Sequence, residues 1–453
     1  MIVTIVGAGS VVFTRNIVEG LFRWPEFKDM GITIRLMDID PGRLRTAYDI
    51  ASQIVGRLGV KATVESYTER RDALRGAKYV FDTVQIGGFR DTQIDFDIPA
   101  KYGLQQTIAD THGIGGIFRA LRTIPVVLDI AHDMERLCPD AWLINYSNPM
   151  AVNVWSVFDS TAVRVIGLCH SVNTTAHQIA SYLGVAYDRV TYKAAGINHM
   201  DFFVEYQVDG QDAYPLLREA AQDPAVFGRD PVRFEIMRMF GHFVSESSEH
   251  MAEYVPYFIQ YPDEIKRLAI PIREYIRRCI EAEQVYAAFV DIAEGRREMP
   301  VGYVLPEALY IGQKEGERQE NVPLEQDVTY PWNALKILHG IETGARHGIH
   351  GNVKNTGLIE NLPYGCCVEV PCMVSQNGLQ PVAVGKLPPQ IAGLIMSQVP
   401  VQELTVRAIA ERKREYVYYA AFLDPVLRAC LKMDAIRSMV DEFFEVYSHY
   451  IPF

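Results

Sequence analysis

The chain has 453 residues, of which 49% are hydrophobic and 22% are charged, and its formal net charge is −12. This composition is typical of a globular protein and excludes a disordered or fibrous chain. The negative charge argues against nucleic acid as a partner, because binding to phosphates needs a basic surface. No apolar run reaches the length of a membrane span, so we expect no membrane partner. The length predicts two substantial lobes.

The seven cysteines are odd in number and irregularly spaced, and two of them, Cys366 and Cys367, are adjacent. This pattern indicates reduced thiols and not a disulfide framework. The chain opens directly into a strand, with no basic region or cleavable apolar segment before it. We therefore expect a cytoplasmic protein.

A glycine-rich turn follows the first predicted strand, Ile2–Val6, and leads into a helical pattern. Strand, glycine turn and helix together are the context of a dinucleotide-binding fingerprint. Gly7 permits the tight turn, Gly9 lets the backbone approach a pyrophosphate, and the helix that follows Ser10 presents its positive end. The third glycine of the fingerprint is replaced by Val12, so the motif is incomplete.

The second predicted strand, Ile32–Met37, ends at Asp38. An acidic residue at this place hydrogen-bonds the adenosine ribose and favours NAD over its 2′-phosphorylated form. The alternative is that Asp38 caps a helix that begins at Pro41. The order of strand, turn, helix, strand and acid favours nucleotide binding.

Two further buried strands, at residues 79–85 and 142–146, end in polar side chains. Gln85 and Asn145 lie at these strand ends, and Asn148 lies in the turn after the second one. Polar residues at such turns are often helix caps. Here the carboxyl ends of parallel strands meet at one edge of the sheet, which predicts a site. Strands and helices alternate to about residue 180, as in a doubly wound parallel sheet.

Two strand ends present Cys169 and, thirty residues later, His199. A thiolate and an imidazole can share one divalent cation and leave its other positions open to substrate or water. The alternative is a buried structural cysteine near a histidine with ordinary hydrogen bonds.

The pattern changes in the second half of the chain, where sheet and helix no longer alternate. We predict an N-terminal Rossmann-like domain at residues 1–180 and a larger α+β domain at 181–453. The predicted elements of the second domain are sheet at 191–208 and 302–310, helices at 231–243 and 271–292, a solvated loop or helix at 313–327, turns at 352–357, a strand at 367–371, and helices from 388 to the end, including 401–422.

Short motifs spread over the whole chain resemble those of the family 4 glycoside hydrolases, the NAD- and manganese-dependent glycosidases. These motifs are G-A-G-S at 7–10, L-M-D-I-D at 36–40, Q-I-G-G at 85–88, S-N-P at 147–149, C-H-S-V at 169–172, G-I-N-H at 196–199 and N-L-P at 361–363. The resemblance implies glycoside cleavage without the usual carboxylate pair. NAD would oxidise C3, a base would remove the C2 proton, the leaving group would be eliminated, water would add, and the hydride would return.

The resemblance also implies the roles of individual residues. Cys169 and His199 match the metal ligands, and manganese is the implied metal, although a cysteine ligand also suits zinc or cobalt. The residues implied in NAD binding are Gly7, Gly9, Ser10, Asp38, Gln85 and Asn145.

The catalytic groups are implied by position. A tyrosine beyond the metal histidine acts as the base in the family, and Tyr254 matches it, with Tyr257 as the alternative. Asp110 is the expected acid for the leaving group, and His170 is the alternative. Asn148 is expected to hydrogen-bond the sugar hydroxyls.

The substrate is implied by the C-H-S-V motif, which resembles the α-galactosidase signature, as do I-A-D-T at 108–111 and E-S-S-E-H at 246–250. Thr92 replaces an arginine of members that act on phosphosugars, and this favours an unphosphorylated, melibiose-like α-galactoside. The alternatives are an α-galacturonidase or α-glucosidase of the same family, a 2-hydroxyacid dehydrogenase, or a sensor without turnover. The family also implies a homo-oligomer, either a dimer or a tetramer.

Overall fold

The computed structural model describes residues 1–299, 331–451 and 453. The sheet predicted at 302–310 and the solvated segment predicted at 313–327 lie outside these residues. Twelve described strands form one mixed sheet. The strands are β1 (Ile2–Val6), β2 (Ile32–Met37), β3 (Ala62–Tyr67), β4 (Tyr79–Asp82), β5 (Trp142–Asn145), β6 (Arg164–Gly167), β7 (Val190–Ile197), β8 (Met200–Val208), β9 (Gln211–Asp212), β10 (His347–Lys354), β11 (Cys367–Ser375) and β12 (Gly378–Pro381).

Helices connect and cover these strands, and a short 3-10 turn spans Tyr187–Arg189. The helices are α1 (Val11–Leu21), α2 (Pro25–Lys28), α3 (Pro41–Leu58), α4 (Arg70–Leu74), α5 (Gly88–Lys101), α6 (Gly113–Leu137), α7 (Met150–Ser160), α8 (Ser171–Leu183), α9 (Tyr214–Ala220), α10 (Pro224–Phe227), α11 (Pro231–Phe240), α12 (Ser248–Tyr254), α13 (Pro262–Arg267), α14 (Glu274–Ala293), α15 (Trp332–Thr343), α16 (Pro389–Met396), α17 (Val399–Glu411), α18 (Glu415–Leu423), α19 (Pro425–Cys430) and α20 (Met433–Val446). No helix within the described ranges combines the length and the apolar character that a membrane crossing requires.

The first half of the sheet is parallel and has the strand order β3-β2-β1-β4-β5-β6. This is the order of a Rossmann fold, so the predicted N-terminal architecture is confirmed. Sequence patterns missed β3, because this strand lies at the edge of the sheet and alternates in burial instead of forming an apolar run. The chain reverses its direction of winding between β1 and β4, where the fold binds its ligands.

The second half of the sheet is antiparallel and is attached directly to β6. Strands β10 and β11 lie between β6 and β7, so chain from beyond residue 340 separates two strands that are close in sequence. One row of paired residues crosses all four strands, from Gly167 to Asn352 to Glu369 to Gly196. The sheet of the two predicted domains is therefore continuous.

Two predicted elements differ in the structure. The turns predicted at 352–357 are wrong in part, because β10 continues to Lys354 and buries Asn352 in the sheet. The helix predicted at 401–422 is two helices, because the chain turns at Arg412, whose φ is +53°. Both differences arise from tertiary packing that local patterns do not report.

The C-terminal helices pack on the N-terminal half and not on each other alone. Helix α17 packs on α6 and α7, and α20 packs on α5 and α18. At this junction the ring of Phe118 stacks on that of Phe443 with a centroid distance of 4.4 Å. The two halves thus share one main apolar core.

Candidate active site

The glycine turn after β1 is shaped by two close approaches. Gly7 has φ +86°, and a Cβ on it would lie 2.8 Å from the carbonyl carbon of Thr83. A Cβ on Gly9 would lie 2.6 Å from Asp38 Oδ2, which instead accepts a hydrogen bond from the Gly9 N–H at 2.7 Å. Ser10 is the residue before α1. Asp38 therefore supports the turn, and the cap of α3 is Asp40, which accepts from two backbone N–H groups.

The other residues predicted to contact the cofactor or sugar lie along the same sheet edge. Gln85 is exposed after β4. Asn145 is fully buried at the end of β5, and its Nδ2 donates to the Ser147 carbonyl at 2.9 Å. Asn148 Nδ2 donates to Asp110 Oδ2 at 3.1 Å, while its buried Oδ1 has no hydrogen-bond partner among the described residues.

Cys169 and His199 meet at the centre of this edge. Cys169 Sγ lies 3.4 Å from His199 Nε2, and both side chains are buried. Burial opposes the charged form of each group, but their mutual attraction is stronger. The pKa of Cys169 is held well below its usual range by His199 and His170, and the pKa of His199 is raised to about 10 by Glu246 and Cys169.

The other ring nitrogen of His199, Nδ1, lies near Thr111 and Tyr254. His199 Nδ1 lies 3.1 Å from Thr111 Oγ1 and 3.3 Å from the Tyr254 hydroxyl. Thr111 Oγ1 also donates to Asp110 Oδ1 at 2.8 Å. Burial alone would raise the pKa of Asp110, but Arg119 and two nearby histidines hold it below its usual range. Burial raises the pKa of Tyr254 well above that of a free phenol.

The two tyrosines considered for the base occupy different environments. Tyr254 is the last residue of α12 and is fully buried against the site. Tyr257 lies beyond the helix end, is 45% exposed, and packs on the ring of Phe240. The structure thus brings Tyr254 to His199 and leaves Tyr257 outside the cluster. His170 is at the cluster, with Nδ1 3.9 Å from Cys169 Sγ.

Sequence reasoning assigned no role to three residues that the structure adds to the site, although two of them lie in the E-S-S-E-H motif. Glu246 Oε2 lies 3.6 Å from His199 Nε2, and Glu246 Oε1 lies 3.5 Å from His250 Nδ1. Glu253 accepts hydrogen bonds from the backbone N–H groups of residues 107, 108 and 109, at 2.8, 3.1 and 2.8 Å. Glu253 therefore fixes the loop that carries Asp110.

Three of the seven non-glycine residues with left-handed φ angles in the described part of the chain lie at this site. Ala109, His199 and Glu246 all have left-handed φ angles, of +56°, +65° and +70°. Residues other than glycine adopt this conformation at a cost, and such residues cluster at functional sites. The pattern supports a built site and not an accidental meeting of polar side chains.

The donor set fits the groups that the sequence predicts. A thiolate and an imidazole that converge at 3.4 Å are suited to a divalent cation, and the same buried cluster includes carboxylate oxygens. The glycine turn and Asp38 fit a dinucleotide with a ribose, and the neighbouring Ile39, which is 85% exposed, offers an apolar surface to a base.

Comparison with known proteins decides the family. The model of the family 4 glycosyl hydrolases matches residues 2–185, and the model of the family 4 glycosyl hydrolase C-terminal domain matches residues 194–427. The chain belongs to family 4 of the glycosyl hydrolases. The family predicted from the motifs is confirmed.

Several family relatives match over the whole length. The chain is 40% identical to an alpha-galactosidase of Bacillus subtilis, over 99% of both chains. It is 32% identical to an alpha-galactosidase of Rhizobium meliloti, over 99% of this chain and 89% of the relative. A 6-phospho-alpha-glucosidase from gut microorganisms, solved in complex with NAD and Mn2+, superposes with a TM-score of 0.79 at 21% identity and covers 100% of this chain and 99% of that one. This last similarity shows the fold.

Proposed function

We propose that the protein is an α-galactosidase that cleaves unphosphorylated, melibiose-like α-galactosides by the redox route of family 4. The observation that carries the proposal is the convergence of Cys169, His199 and Tyr254 at the sheet edge that begins with the glycine turn. The two relatives at 40% and 32% identity are both alpha-galactosidases, which favours this substrate over galacturonides and glucosides.

The position that carries an arginine in phosphosugar-cleaving members supports the same substrate. Thr92 is 2% exposed, and its hydroxyl donates to the Gly88 carbonyl at 3.0 Å. A buried hydroxyl that is already bonded to its own helix offers no forked cation to a phosphate. An unphosphorylated galactoside fits this environment.

Bound NAD+ supplies reversible hydride acceptance, and bound Mn2+ supplies a Lewis acid beside the sugar oxygens. The chain binds these groups with the residues already described. NAD would be held by Gly7, Gly9, Ser10, Asp38, Gln85 and Asn145, and the metal would be held by Cys169 and His199.

The remaining groups act on the sugar. Tyr254 is the base for the C2 proton, because its hydroxyl lies 3.3 Å from Nδ1 of His199. Burial raises the pKa of this phenol, and a bound cation would lower it. Asn148 binds a sugar hydroxyl through its unpartnered Oδ1 and is oriented by Asp110. Exclusion of water by the buried cluster strengthens each of these electrostatic contacts.

The test is release of p-nitrophenol from its α-galactoside under reducing conditions, with NAD+ and Mn2+ added together or omitted one at a time. We expect activity only when both are present, with no net accumulation of NADH. Activity that survives chelation and the omission of NAD+ would contradict the redox route. Activity confined to the α-galacturonide or α-glucoside would contradict the substrate.

The leaving-group acid is Asp110 or His170. The pKa of Asp110 is held below its usual range, so Asp110 can serve only if substrate binding first protonates it, and the two residues are separable by experiment. A proton donor matters less when the leaving group is a good one, so its loss slows melibiose cleavage more than p-nitrophenyl galactoside cleavage. We expect Asp110→Asn to show this difference. An equal loss on both substrates, with the difference appearing in His170→Gln, would assign the acid to His170.

Three further expectations belong to the same proposal. A domain boundary near residue 180 is supported by two separate family models that meet between 185 and 194. A cytoplasmic location is supported by seven free cysteines. A homo-oligomer, dimer or tetramer, is supported by apolar side chains exposed on the C-terminal helices, among them Tyr419 and Met433, and light scattering would measure its size.

A further inference from the structure

Three potential ligand atoms form a compact triangle at the centre of the site. Cys169 Sγ and His199 Nε2 are 3.4 Å apart, His199 Nε2 and Glu246 Oε2 are 3.6 Å apart, and Cys169 Sγ and Glu246 Oε2 are 4.0 Å apart. Atoms that each bind one divalent metal at about 2.0–2.3 Å lie about 3–3.6 Å from one another. The distances from His199 Nε2 to Cys169 Sγ and to Glu246 Oε2 fall in this range. The third distance, between Cys169 Sγ and Glu246 Oε2, would have to shorten by about 0.4 Å to reach it.

The backbone of Glu246 is held in the conformation that aims its carboxylate at the triangle. Its φ of +70° lies in the left-handed region, which is costly for a residue with a side chain. Arg233 Nη1 donates to the Glu246 carbonyl oxygen at 2.6 Å. Arg233 is itself fully buried and paired with Asp230 at 2.6 Å. The fold therefore uses a buried guanidinium to stabilise this one strained residue.

The groups within ion-pair distance of the Glu246 carboxylate are imidazoles, and the guanidinium of Arg278 acts on it from farther away. Its side chain is 12% exposed, and its two ion pairs are with the imidazoles of His199 and His250. A buried carboxylate kept only for stability is typically paired with arginine or lysine. The environment is instead one in which a cation would neutralise the carboxylate and the thiolate together.

We propose that Glu246 is a third protein ligand of the metal, through Oε2, beside Cys169 and His199. The proposal rests on the metal-dependent function proposed above. A carboxylate oxygen suits manganese, whereas a thiolate and an imidazole alone favour softer metals. Three ligands from one side leave the remaining positions of the metal open to substrate and water.

The experiment measures Mn2+ affinity by titration calorimetry on the full chain, without substrate, for the wild type, Glu246→Gln and Glu249→Gln. Glu249 is the matched control, because it is an acidic residue three positions later in the first turn of α12. We expect the Kd for Mn2+ to rise at least about tenfold in Glu246→Gln and to stay unchanged in Glu249→Gln.

The outcomes separate the ligand assignment from the function. An equal Kd in the wild type and Glu246→Gln overturns the assignment alone. A wild type that binds no Mn2+ overturns the assignment together with the metal-dependent function. A crystal structure of the wild type with Mn2+ decides independently of how the variant folds. Glu246 Oε2 at about 2.1–2.4 Å from the metal supports the proposal, and a distance beyond about 3.5 Å overturns it.

Discussion

Asn352 and Glu369 face each other across β10 and β11, and Asn352 Nδ2 donates to Glu369 Oε2 at 2.9 Å. The same carboxylate oxygen accepts from Asn198 Nδ2 at 3.1 Å. Asn198 precedes His199, and Asn352 is paired with Gly167, two residues before Cys169. This buried network therefore sets the separation of the two proposed metal ligands from strands that are distant in sequence.

Replacement of Asn352 by alanine is expected to weaken both the fold and the metal site. Glu369 would keep one of its two amide donors while remaining fully buried, which costs about 1–3 kcal/mol of unfolding free energy. Urea unfolding measures this loss, and calorimetry measures the expected rise in the Kd for Mn2+. Asn355→Ala is the control, because the hydrogen bonds of the Asn355 side chain to described residues are with the loop that follows β10. A metal affinity reduced equally in both variants would contradict the role of the network.

Replacement of the two candidate tyrosines by phenylalanine is expected to have opposite effects on the rate. Tyr254→Phe removes the buried hydroxyl beside His199 and is expected to lower kcat by about 10²–10⁴-fold with p-nitrophenyl galactoside. Tyr257→Phe removes a hydroxyl from a side chain that is 45% exposed and is expected to keep near wild-type rates. Solvent hydrogen exchange at C2 of the sugar provides a second measurement, which Tyr254→Phe alone should abolish. The assignment fails if Tyr257→Phe shows the larger loss.

Asp38 and Asp40 are close in sequence but are expected to behave differently. Asp38→Asn keeps an acceptor for the Gly9 N–H and removes the charge at the ribose site, so the Kd for NAD+ should rise about tenfold or more, with weaker discrimination against NADP+. Asp40→Ala removes the cap of α3 and should cost about 1 kcal/mol of stability without changing the Kd. Fluorescence titration and thermal unfolding separate these effects. Equal NAD+ affinities in the two variants would contradict the ribose role.

Asp424 predicts a pH dependence of stability away from the active site. Its side chain is fully buried and caps α19, and burial raises its pKa to about 6 against the backbone donors that lower it. The unfolded carboxyl ionises near pH 4. As the pH rises from about 4 to 6, the unfolded chain therefore releases this proton first, and the folded chain loses stability relative to it.

Asp424→Asn keeps a capping oxygen and removes this ionisation. Relative to the wild type, the variant should gain about 1–3 kcal/mol of unfolding free energy between pH 4 and pH 7. Urea unfolding at four pH values in this range measures the difference. A difference that stays constant across the range would show that Asp424 is ionised in the folded protein throughout.

The sequence by itself determined the features that local chain geometry encodes. The glycine turn, the acid at the end of β2 and the alternation of strands and helices are set within short stretches, because a parallel βαβ unit imposes its own spacing. The family motifs also predicted the cysteine, the histidine and the amides of the proposed site from short stretches. Where the pattern was polar, as in the edge strand β3 or at Asn352, local reasoning failed.

Only the tertiary structure decided how these residues meet. The separation of Cys169 and His199 depends on β10 and β11, which come from more than 140 residues later and are held by a buried Asn352–Glu369 pair. The family resemblance placed Tyr254 before Tyr257, but the sequence could not show their burial, which depends on where α12 ends against the sheet. Glu246 lies 3.6 Å from His199, and its backbone carbonyl accepts a hydrogen bond from the buried Arg233. These features all depend on contacts between residues that are distant in sequence, and the residues next to a side chain in the sequence do not show which distant residue it will contact.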